Sequence, residues 1–297
     1  MENSEKNALY YLTAGPQDER WGTVVTTAGC QFVAPGAPYP LSRHPERYDF
    51  TPQSGRVLGE YQMVYITRGS GYFSSASCRR QKVTAGTMLL LFPDEWHDYA
   101  PDPATGWDEY WVGFRGAAVR SLFGQPFFTP ADPVLHIGVS ATIVGLYEDL
   151  LGFARREKSG HQQMAAGIVM HILGTVYYKL RNRAFTNNTY VVDKINRARI
   201  MMKESCETDD LRARQIAERL GLGYTWFRRM FRQYTGVPPA QYMLQQKILR
   251  AKELLAASGM TISEVAYRLR FENPGQFATL FRKKTGMTPT DFRRRAR

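Results

Sequence analysis

The pattern of apolar and polar positions divides this chain into a front part with strand periodicity and a rear part with helix periodicity. Over residues 21–138, short runs of β-branched, aromatic and other apolar residues alternate with polar ones. Turn sequences such as Arg68-Gly69-Ser70-Gly71 and Pro101-Asp102-Pro103 separate the runs. Many short strands with frequent turns predict a sandwich or small barrel. The predicted strands include Gly59–Arg68, Gly71–Ser75, Thr87–Phe92 and Tyr110–Phe114.

Two amphipathic helices are predicted in residues 139–183. The first has apolar side chains at helical spacing, and the second is expected over about 161–182. Their apolar positions are Ile143, Leu146, Tyr147, Leu150 and Leu151 in the first helix and Met164, Ile168, His171, Ile172 and Val176 in the second. Such stripes must be buried. The helices either pack on their own β domain or form a dimer interface, and the sequence leaves both alternatives open.

The other segments complete the domain plan. Residues 1–20 are polar and are expected to form an arm, and residues 184–190 are polar and are expected to form a linker. From residue 191 to 297 the chain reads as helical, apart from breaks at Gly236–Pro239 and Gly286–Pro289. The predicted fold class is therefore α+β, with an N-terminal β domain, a helical linker and an all-α C-terminal domain.

The two breaks belong to an internal repeat. Nine positions match at an offset of 49 residues that becomes 50 after the second turn, and chance rarely produces such agreement. One copy has Ile216, Ala217, Leu220, Leu222, Phe227, Phe231, Gly236, Pro239 and Tyr242, and the other has Val265, Ala266, Leu269, Phe271, Phe277, Phe281, Gly286, Pro289 and Phe292. Each copy predicts a helix, a short turn and a second helix. Thr261 and Glu264 form a capping-box sequence before the first helix of the second copy.

The second helix of each copy is a candidate DNA-reading helix. Phe227 and Phe231, like Phe277 and Phe281, would be buried, so the opposite face would point outward. Arginine on such a face can bond both acceptors of guanine in the major groove. A basic helix face can also be merely solvated, but the repeat favours DNA binding. The candidate DNA contacts are Thr225, Trp226, Arg228, Arg229, Arg232, Gln276, Thr279, Arg282 and Lys283.

The charge distribution supports this interpretation. The net charge of the 297 residues is +12. Residues 1–189 contain 17 Lys/Arg and 17 Asp/Glu, whereas residues 190–297 contain 22 and 10. The whole excess lies in the C-terminal third, where a polyanion such as double-stranded DNA is expected to bind.

The C-terminal part resembles the AraC/XylS family of transcription regulators. The residues that carry the resemblance are Phe271, Phe277, Phe281, Gly286, Pro289 and Phe292, with Ala251, Leu254 and Leu255 in the connecting helix. The resemblance implies two tandem helix-turn-helix units. Arg270 stands where the family usually has glycine, and Thr279 stands where it often has a base-contacting arginine.

Residues of about 40–116 also resemble the sensor domain of this family. The resemblance implies a cupin-like β-barrel over residues 21–138 that binds a small effector, commonly a sugar. Aromatic faces stack on sugars, and charged side chains bond their hydroxyls. Tyr99, Glu109 and Trp111 match pocket positions of the family, Arg56 lies close to another, and Trp96 and His97 are weaker candidates. As the alternative, these aromatic residues only fill the core.

Other classes of protein find less support. A metal-dependent cupin enzyme needs several converging histidines, and the sequence has no His-x-His. No nucleophile elbow, P-loop or GxGxxG occurs. The three cysteines are far apart, no signal peptide is evident, and the longest apolar run, Met88–Phe92, cannot span a bilayer. We therefore expect a cytoplasmic protein that is not an enzyme and has no metal, cofactor or membrane partner.

The sequence thus predicts an effector-responsive, DNA-binding transcription regulator. Its expected partners are double-stranded DNA, a small molecule such as a sugar, and a second copy of the chain, with RNA polymerase as a further candidate. Two rival hypotheses remain. One is a cupin-type enzyme fused to a DNA-binding module, and the other is a regulator that works without an effector.

Overall fold

The computed structural model describes residues 7–40, 54–124, 127–183, 185, 188–207 and 211–296. The chain forms two compact units, one up to Leu180 and the other from Arg181 onward. The strands lie in the first unit and the repeated helices in the second. The predicted α+β class is therefore confirmed.

The first unit is built around an antiparallel sheet. The strand order is β1-β2-β8-β4-β6-β9. Strands β5 and β7 pair with the second half of β4, and β3 pairs with β7. Across the described residues this path ends at β1 and β9, so the expected barrel is an open sheet rather than a closed one. The strands are β1 Ala8–Tyr11, β2 Val24–Val33, β3 Arg56–Val57, β4 Tyr61–Ser75, β5 Gln81–Thr84, β6 Thr87–Leu91, β7 Trp96–Pro101, β8 Trp107–Arg115 and β9 Val134–His136.

Strand β4 differs from the sequence prediction. The turn expected at Arg68–Gly71 lies inside one strand of 15 residues. The first half of β4 pairs with β6 and β8, and its second half pairs with β5 and β7. The register shifts between Ile66 and Arg68, and Gly69 has a φ of 79°. A Cβ atom on Gly69 would lie 2.0 Å from the Gly106 carbonyl oxygen, so glycine bends this strand without ending it.

The segment predicted as an arm is part of this unit from Asn7 onward. Strand β1 pairs with β2 from Ala8 opposite Cys30 to Tyr11 opposite Thr27. Helix α1 (Pro16–Arg20) follows it, and a second short helix, α2 (Ala117–Arg120), follows β8. The strand was missed because it is an edge strand of only four residues within an otherwise polar segment. Residues 1–6 lie outside the described part of the chain.

Helices α3 (Ala141–Arg156) and α4 (His161–Arg183) pack on the sheet of their own chain. Tyr147 donates a hydrogen bond of 3.1 Å to the carbonyl oxygen of Met63 in β4. Met164 and His171 were expected on the buried side of α4, but both are exposed. Of the predicted apolar positions, those that are buried are Ile143, Tyr147, Leu150, Ile168, Ile172 and Val176.

The second unit consists of seven helices in its described residues. Of the predicted linker 184–190, residues 184, 186 and 187 lie outside the described part, and Phe185 is buried in the first helical core. Asn188 caps the first of these helices by accepting a hydrogen bond from the Val191 amide. The helices are α5 Thr189–Glu204, α6 Ala213–Arg219, α7 Tyr224–Thr235, α8 Pro239–Ala257, α9 Ile262–Arg268, α10 Pro274–Thr285 and α11 Pro289–Ala296.

The internal repeat appears as two nearly identical packing motifs. The rings of Phe227 and Phe231 are 5.4 Å apart at 59°, and those of Phe277 and Phe281 are 5.6 Å apart at 60°. In each copy a threonine at the end of the second helix bonds the carbonyl of the second phenylalanine, at 2.7 Å in α7 and 2.8 Å in α10. The predicted capping box is also confirmed, because Thr261 and Glu264 each accept from the backbone amide of the other.

Arg270 occupies the left-handed backbone position that glycine fills in the first copy. Its φ is 57°, and that of the equivalent Gly221 is 68°. A side chain in this region costs about 1–2 kcal/mol, so the turn keeps its geometry at the expense of stability. The family's usual glycine at this position therefore has a backbone reason.

We predict that Arg270→Gly stabilises the second unit. The relief of the positive φ is partly offset by the greater freedom of glycine in the unfolded chain, which leaves a gain of about 0.5–1 kcal/mol. Thermal unfolding followed by circular dichroism should show a midpoint higher by about 2–5 °C. Arg270→Ala is the control, because it removes the long side chain but keeps the Cβ atom. Equal stabilisation by both variants would assign the effect to the lost charge.

Candidate functional site

A pocket lies in the first unit where β1, β2, β8 and the start of β4 meet the segment around Tyr39. Its empty space is about 380 Å³, counted to its open mouth. Only about 20 Å³ of this space can hold the centre of a water-sized sphere, so the side chains nearly fill the pocket in this structure, and a larger ligand enters only if they move. The lining combines aromatic faces with hydrogen-bonding groups and consists of Leu9, Tyr11, Thr27, Gln31, Tyr39, Pro40, Arg56, Gln62, Tyr99, Glu109 and Trp111.

Strand pairing brings four of the predicted effector contacts together. Glu109 and Trp111 share one face of β8, and Tyr99 arrives from β7. Arg56 is paired with His97 across β3 and β7, which places its guanidinium beside Tyr99. The indole of Trp111 lies against Gly29 of β2, where a Cβ atom would be 2.1 Å from the ring. Glycine at position 29 therefore makes room for the aromatic wall.

Two weaker candidates fall outside the lining. His97 is buried behind Arg56, with its Nε2 atom 3.4 Å from the Arg56 Nε atom. Trp96 is 38% exposed, and its indole donates to the carbonyl oxygen of Ser54 at 3.1 Å. Alternation along β7 explains the difference, because Trp96 points to the opposite face from His97 and Tyr99. Trp96 therefore does not belong to this pocket.

Hydrogen bonds connect the polar groups of the pocket. The Tyr39 hydroxyl donates to both carboxylate oxygens of Glu109, at 3.0 and 3.2 Å. The Arg56 Nη2 atom donates to the Tyr99 hydroxyl at 3.0 Å. The rings of Tyr39 and Tyr99 lie 6.4 Å apart, so the two bonded pairs are neighbours. This side of the pocket thus carries a cation, a carboxyl group and two phenols.

Burial controls the ionisation of these groups. Desolvation raises the pKa of Glu109 to about 8, against the lowering effects of the Tyr39 hydrogen bond and of Arg56. Desolvation likewise raises the pKa of Tyr99 to about 12 and lowers that of His97 to about 4. Around neutral pH the Glu109 carboxyl is mainly protonated, so it can donate as well as accept a hydrogen bond. A charged Glu109, assumed from the sequence, is not the resting form.

Three lining residues, Tyr39, Gln62 and Thr27, were missed by the sequence analysis. Tyr39 follows a Pro- and Gly-rich stretch, and its contact with Glu109 spans 70 residues. The Gln62 Oε1 and Thr27 Oγ1 atoms are buried, and within the described residues neither has a hydrogen-bond partner. Buried polar atoms normally find partners, so these two can receive polar groups of a ligand. Strand alternation alone would have selected Gln62, as a polar residue on a buried strand.

The predicted DNA-reading residues lie on α7 and α10. Phe227 and Phe231 are fully buried, and this turns the arginines of α7 outward. Thr225, Arg228, Arg229 and Arg232 are exposed, whereas Trp226 is half-buried against the first helical core. On α10, Gln276, Thr279, Arg282 and Lys283 are all exposed. The Asn273 side chain caps α10 by accepting from the Gln276 amide at 2.8 Å.

Across the described ranges, no group of three or more His, Cys, Asp or Glu residues is placed to hold a metal ion. None of the described helices combines the length and the apolar character needed to cross a bilayer.

Comparison with known proteins gives two family matches. The AraC-like ligand binding domain matches residues 35–173, and a helix-turn-helix domain matches residues 216–295. Together the matched segments include the pocket wall on β7 and β8 and both candidate reading helices.

Three curated relatives align along most of the chain. The MmsAB operon regulatory protein of Pseudomonas aeruginosa is 26% identical over 246 residues, which are 80% of this chain and 76% of that protein. The HTH-type transcriptional activator RhaR of Escherichia coli is 23% identical, covering 78% and 84% of the two chains. The Msm operon regulatory protein of Streptococcus mutans is 22% identical, covering 83% and 87%.

The raised pKa of Glu109 predicts a pH dependence of stability. An acid whose folded-state pKa lies above its unfolded value near 4.5 stabilises the fold below that value and loses this contribution as pH rises through about 8. Between pH 6.5 and 8, the free energy of unfolding should therefore fall by up to about 1.4 kcal/mol per pH unit. His97 does not interfere, because its lowered pKa gives the opposite slope only below about 6.5.

Urea unfolding of the full chain at several pH values, followed by tryptophan fluorescence, measures this slope. Glu109→Gln keeps the shape of the side chain and cannot ionise, so its unfolding free energy should vary less with pH in this window. Parallel curves for the wild type and the variant would show that Glu109 ionises normally in the folded protein.

Proposed function

Because this chain belongs to the AraC family of transcription regulators, we propose that it couples occupancy of its pocket by a small polar molecule to transcription at a specific DNA site. The observation that carries the proposal is the joint presence of a buried polar pocket in the first unit and two arginine-bearing or polar reading helices in the second. The most direct test is whether a pocket ligand changes operator-dependent transcription in vitro.

We propose a sugar or a similar polyol as the effector. Trp111 offers an aromatic face for the C–H surface of a pyranose, and Arg56, Glu109 and Tyr39 offer groups for its hydroxyls. A protonated Glu109 suits a neutral ligand, since it can donate to one hydroxyl and accept from another. Gln62 and Thr27 supply further acceptor atoms at the pocket wall.

For DNA, we propose that α7 reads bases through Arg228 and Arg229, with Thr225, Trp226 and Arg232 as neighbouring contacts. On α10, Gln276, Thr279, Arg282 and Lys283 are the proposed contacts. Arginine can bond guanine with two parallel hydrogen bonds, whereas the short Thr279 side chain cannot. We therefore assign most base discrimination to α7 and mostly phosphate or methyl contacts to α10.

A second copy of the chain and RNA polymerase are proposed as further partners. On α4 the exposed apolar residues Met164, Met170 and Tyr178 are 51%, 40% and 68% exposed, so this helix retains an apolar surface after packing on the sheet. Analytical ultracentrifugation of the full chain checks the dimer, and a monomer at micromolar concentration would contradict it. Activation, and with it contact to polymerase, is proposed by analogy with the relative named as a transcriptional activator.

We propose that the pocket binds its ligand without transforming it. The curated relatives are regulatory proteins by name, and the polar groups of the pocket are hydrogen-bonded to one another. A cupin-type enzyme is the rival hypothesis. Turnover of a bound sugar, detected by chromatography after long incubation, would favour that rival.

The DNA assignment predicts a loss of specific affinity on truncation of α7. Arg228→Ala or Arg229→Ala should each cost about 1–3 kcal/mol on a cognate duplex, because a guanine would lose its two-bond partner. Fluorescence anisotropy at fixed salt, with a duplex selected from random sequences on the wild type, measures the loss. Thr279→Ala should cost less. Equal weakening on cognate and unrelated duplexes would reassign the arginine to a phosphate contact.

The effector assignment predicts that Trp111 is essential and Trp96 is not. A thermal-shift screen of monosaccharides on the wild type identifies the probe, and calorimetry gives its affinity. Trp111→Leu should weaken binding by about tenfold or more, since a stacking aromatic contributes on the order of 1 kcal/mol beyond its buried area. Trp96→Leu is the matched control outside the pocket. Binding that survives Trp111→Leu contradicts the pocket, and a screen without hits favours a regulator without an effector.

A further inference from the structure

The second unit has two hydrophobic cores that share one helix. The first core is formed mainly by α5, α6 and α7, and the second by α9, α10 and the second half of α8. Along α8, Tyr242 and Met243 pack into the first core, and Leu244, Ile248 and Ala251 pack into the second. A helix of 19 residues sets the distance between the cores, but long helices bend. The angle between the two cores therefore needs a further constraint.

Glu207 makes a direct side-chain link between the two cores. One of its carboxylate oxygens accepts a hydrogen bond from the Arg250 Nε atom on α8. The other accepts from the Arg268 Nε atom on α9 at 2.6 Å. The carboxylate thus joins a residue that follows α5 to the first helix of the second helix-turn-helix unit.

The backbone at Glu207 is anchored in the first core. The preceding residues, Ser205 and Cys206, are both buried. Their side chains donate to the carbonyl oxygen of Met202 in α5, at 3.3 and 3.2 Å. The backbone of Glu207 is therefore held in place. Loss of its side-chain hydrogen bonds would change the orientation of the two cores rather than only the conformation of the segment at Glu207.

The chemistry of this link favours orientation over stability. The side chains of Arg250 and Arg268 are 41% and 48% exposed, and ion pairs this open contribute little to the free energy of unfolding. Each guanidinium nevertheless restricts the direction of the carboxylate, because charge-assisted hydrogen bonds require good alignment. The hydrogen bond from Arg268 is the largest cause of a lowered pKa of Glu207, so the carboxylate is ionised at neutral pH.

We propose that Glu207 is a positioning residue that fixes the angle between the two DNA-reading halves and thereby the spacing between their DNA half-sites. The proposal rests on the proposed function, in which both α7 and α10 contact DNA. Reading helices that enter successive major grooves must match the helical repeat of about 34 Å. One inserted base pair changes both the distance and the rotation between half-sites, so a rigid pair of readers rejects it more strongly than a flexible pair.

The test compares spacing preference in matched variants of the full chain. The probes are the duplex selected from random sequences on the wild type and the same duplex with one base pair inserted or deleted between its half-sites. Glu207→Ala removes the link. Glu253→Ala is the control, because Glu253 also pairs with Arg250, at 2.7 Å, but lies on α8 itself and joins no second core. Both variants lose one negative charge, so non-specific attraction to DNA changes equally.

We expect the wild type and Glu253→Ala to lose about tenfold in affinity on the altered spacings, and Glu207→Ala to lose only about threefold. Arg268→Gln, which breaks the link from the other side, should behave like Glu207→Ala and serves if that variant does not fold, as judged by circular dichroism. The ratio between spacings is the readout, because a merely structural role would lower affinity on all duplexes alike.

The outcomes separate the two proposals. A wild type that discriminates spacing, with Glu207→Ala and Arg268→Gln discriminating equally well, would overturn the role of Glu207 and leave two-site reading intact. A wild type indifferent to spacing would contradict two-site reading itself, and the positioning role with it. Loss of discrimination in Glu253→Ala as well would assign the effect to Arg250 and not to the link between cores.

Discussion

The burial of strand β8 on both faces is the constraint on which the first unit depends. Its partners β2 and β4 flank it, so its backbone is paired along both edges. Tyr110, Val112 and Phe114 face the helices α3 and α4, whereas Glu109 and Trp111 face the pocket. A strand with period two can serve both layers only if its register is fixed, because a slip of one residue would exchange the two sets. The same register of β8 therefore determines both which residues fill the core and which residues line the pocket.

Local periodicity was enough to predict the second unit. The aromatic pairs at Phe227 and Phe231 and at Phe277 and Phe281 lie one helical turn apart, so their burial is readable within a single helix. The arginines of α7 then had only the outer face available. At Arg270 the repeat predicts a left-handed turn, whereas arginine disfavours that backbone conformation. The structure has the left-handed turn, with a φ of 57° at Arg270.

The first unit was predicted less completely because its decisive contacts are non-local. Gly69 looked like the end of a strand, yet its close approach to Gly106 bends β4 so that both halves can pair. Tyr99, Glu109 and Arg56 were found through family resemblance. Trp96, a weaker candidate, lies outside the lining because it points to the opposite side of β7 from Tyr99. Tyr39 had no signal in its neighbourhood, since the residue that explains it, Glu109, lies 70 positions away.

The two units therefore place their polar groups under different physical rules. In the pocket, burial disfavours a charged carboxyl, so Glu109 is protonated and offers neutral hydrogen bonds. In the helical unit, each core is small and contributes only a modest free energy of unfolding. Polar links such as that from Glu207 to Arg268 lie near the solvent, where an ionised side chain is well hydrated and an ion pair contributes little. Weak links suit orientation, because setting an angle between two stable bodies needs less free energy than holding either one folded. Burial thus restricts the polar groups strongly in the pocket, where a ligand is selected. Exposed ion pairs restrict the helical unit only weakly, and there the large free energy of DNA binding can complete the alignment.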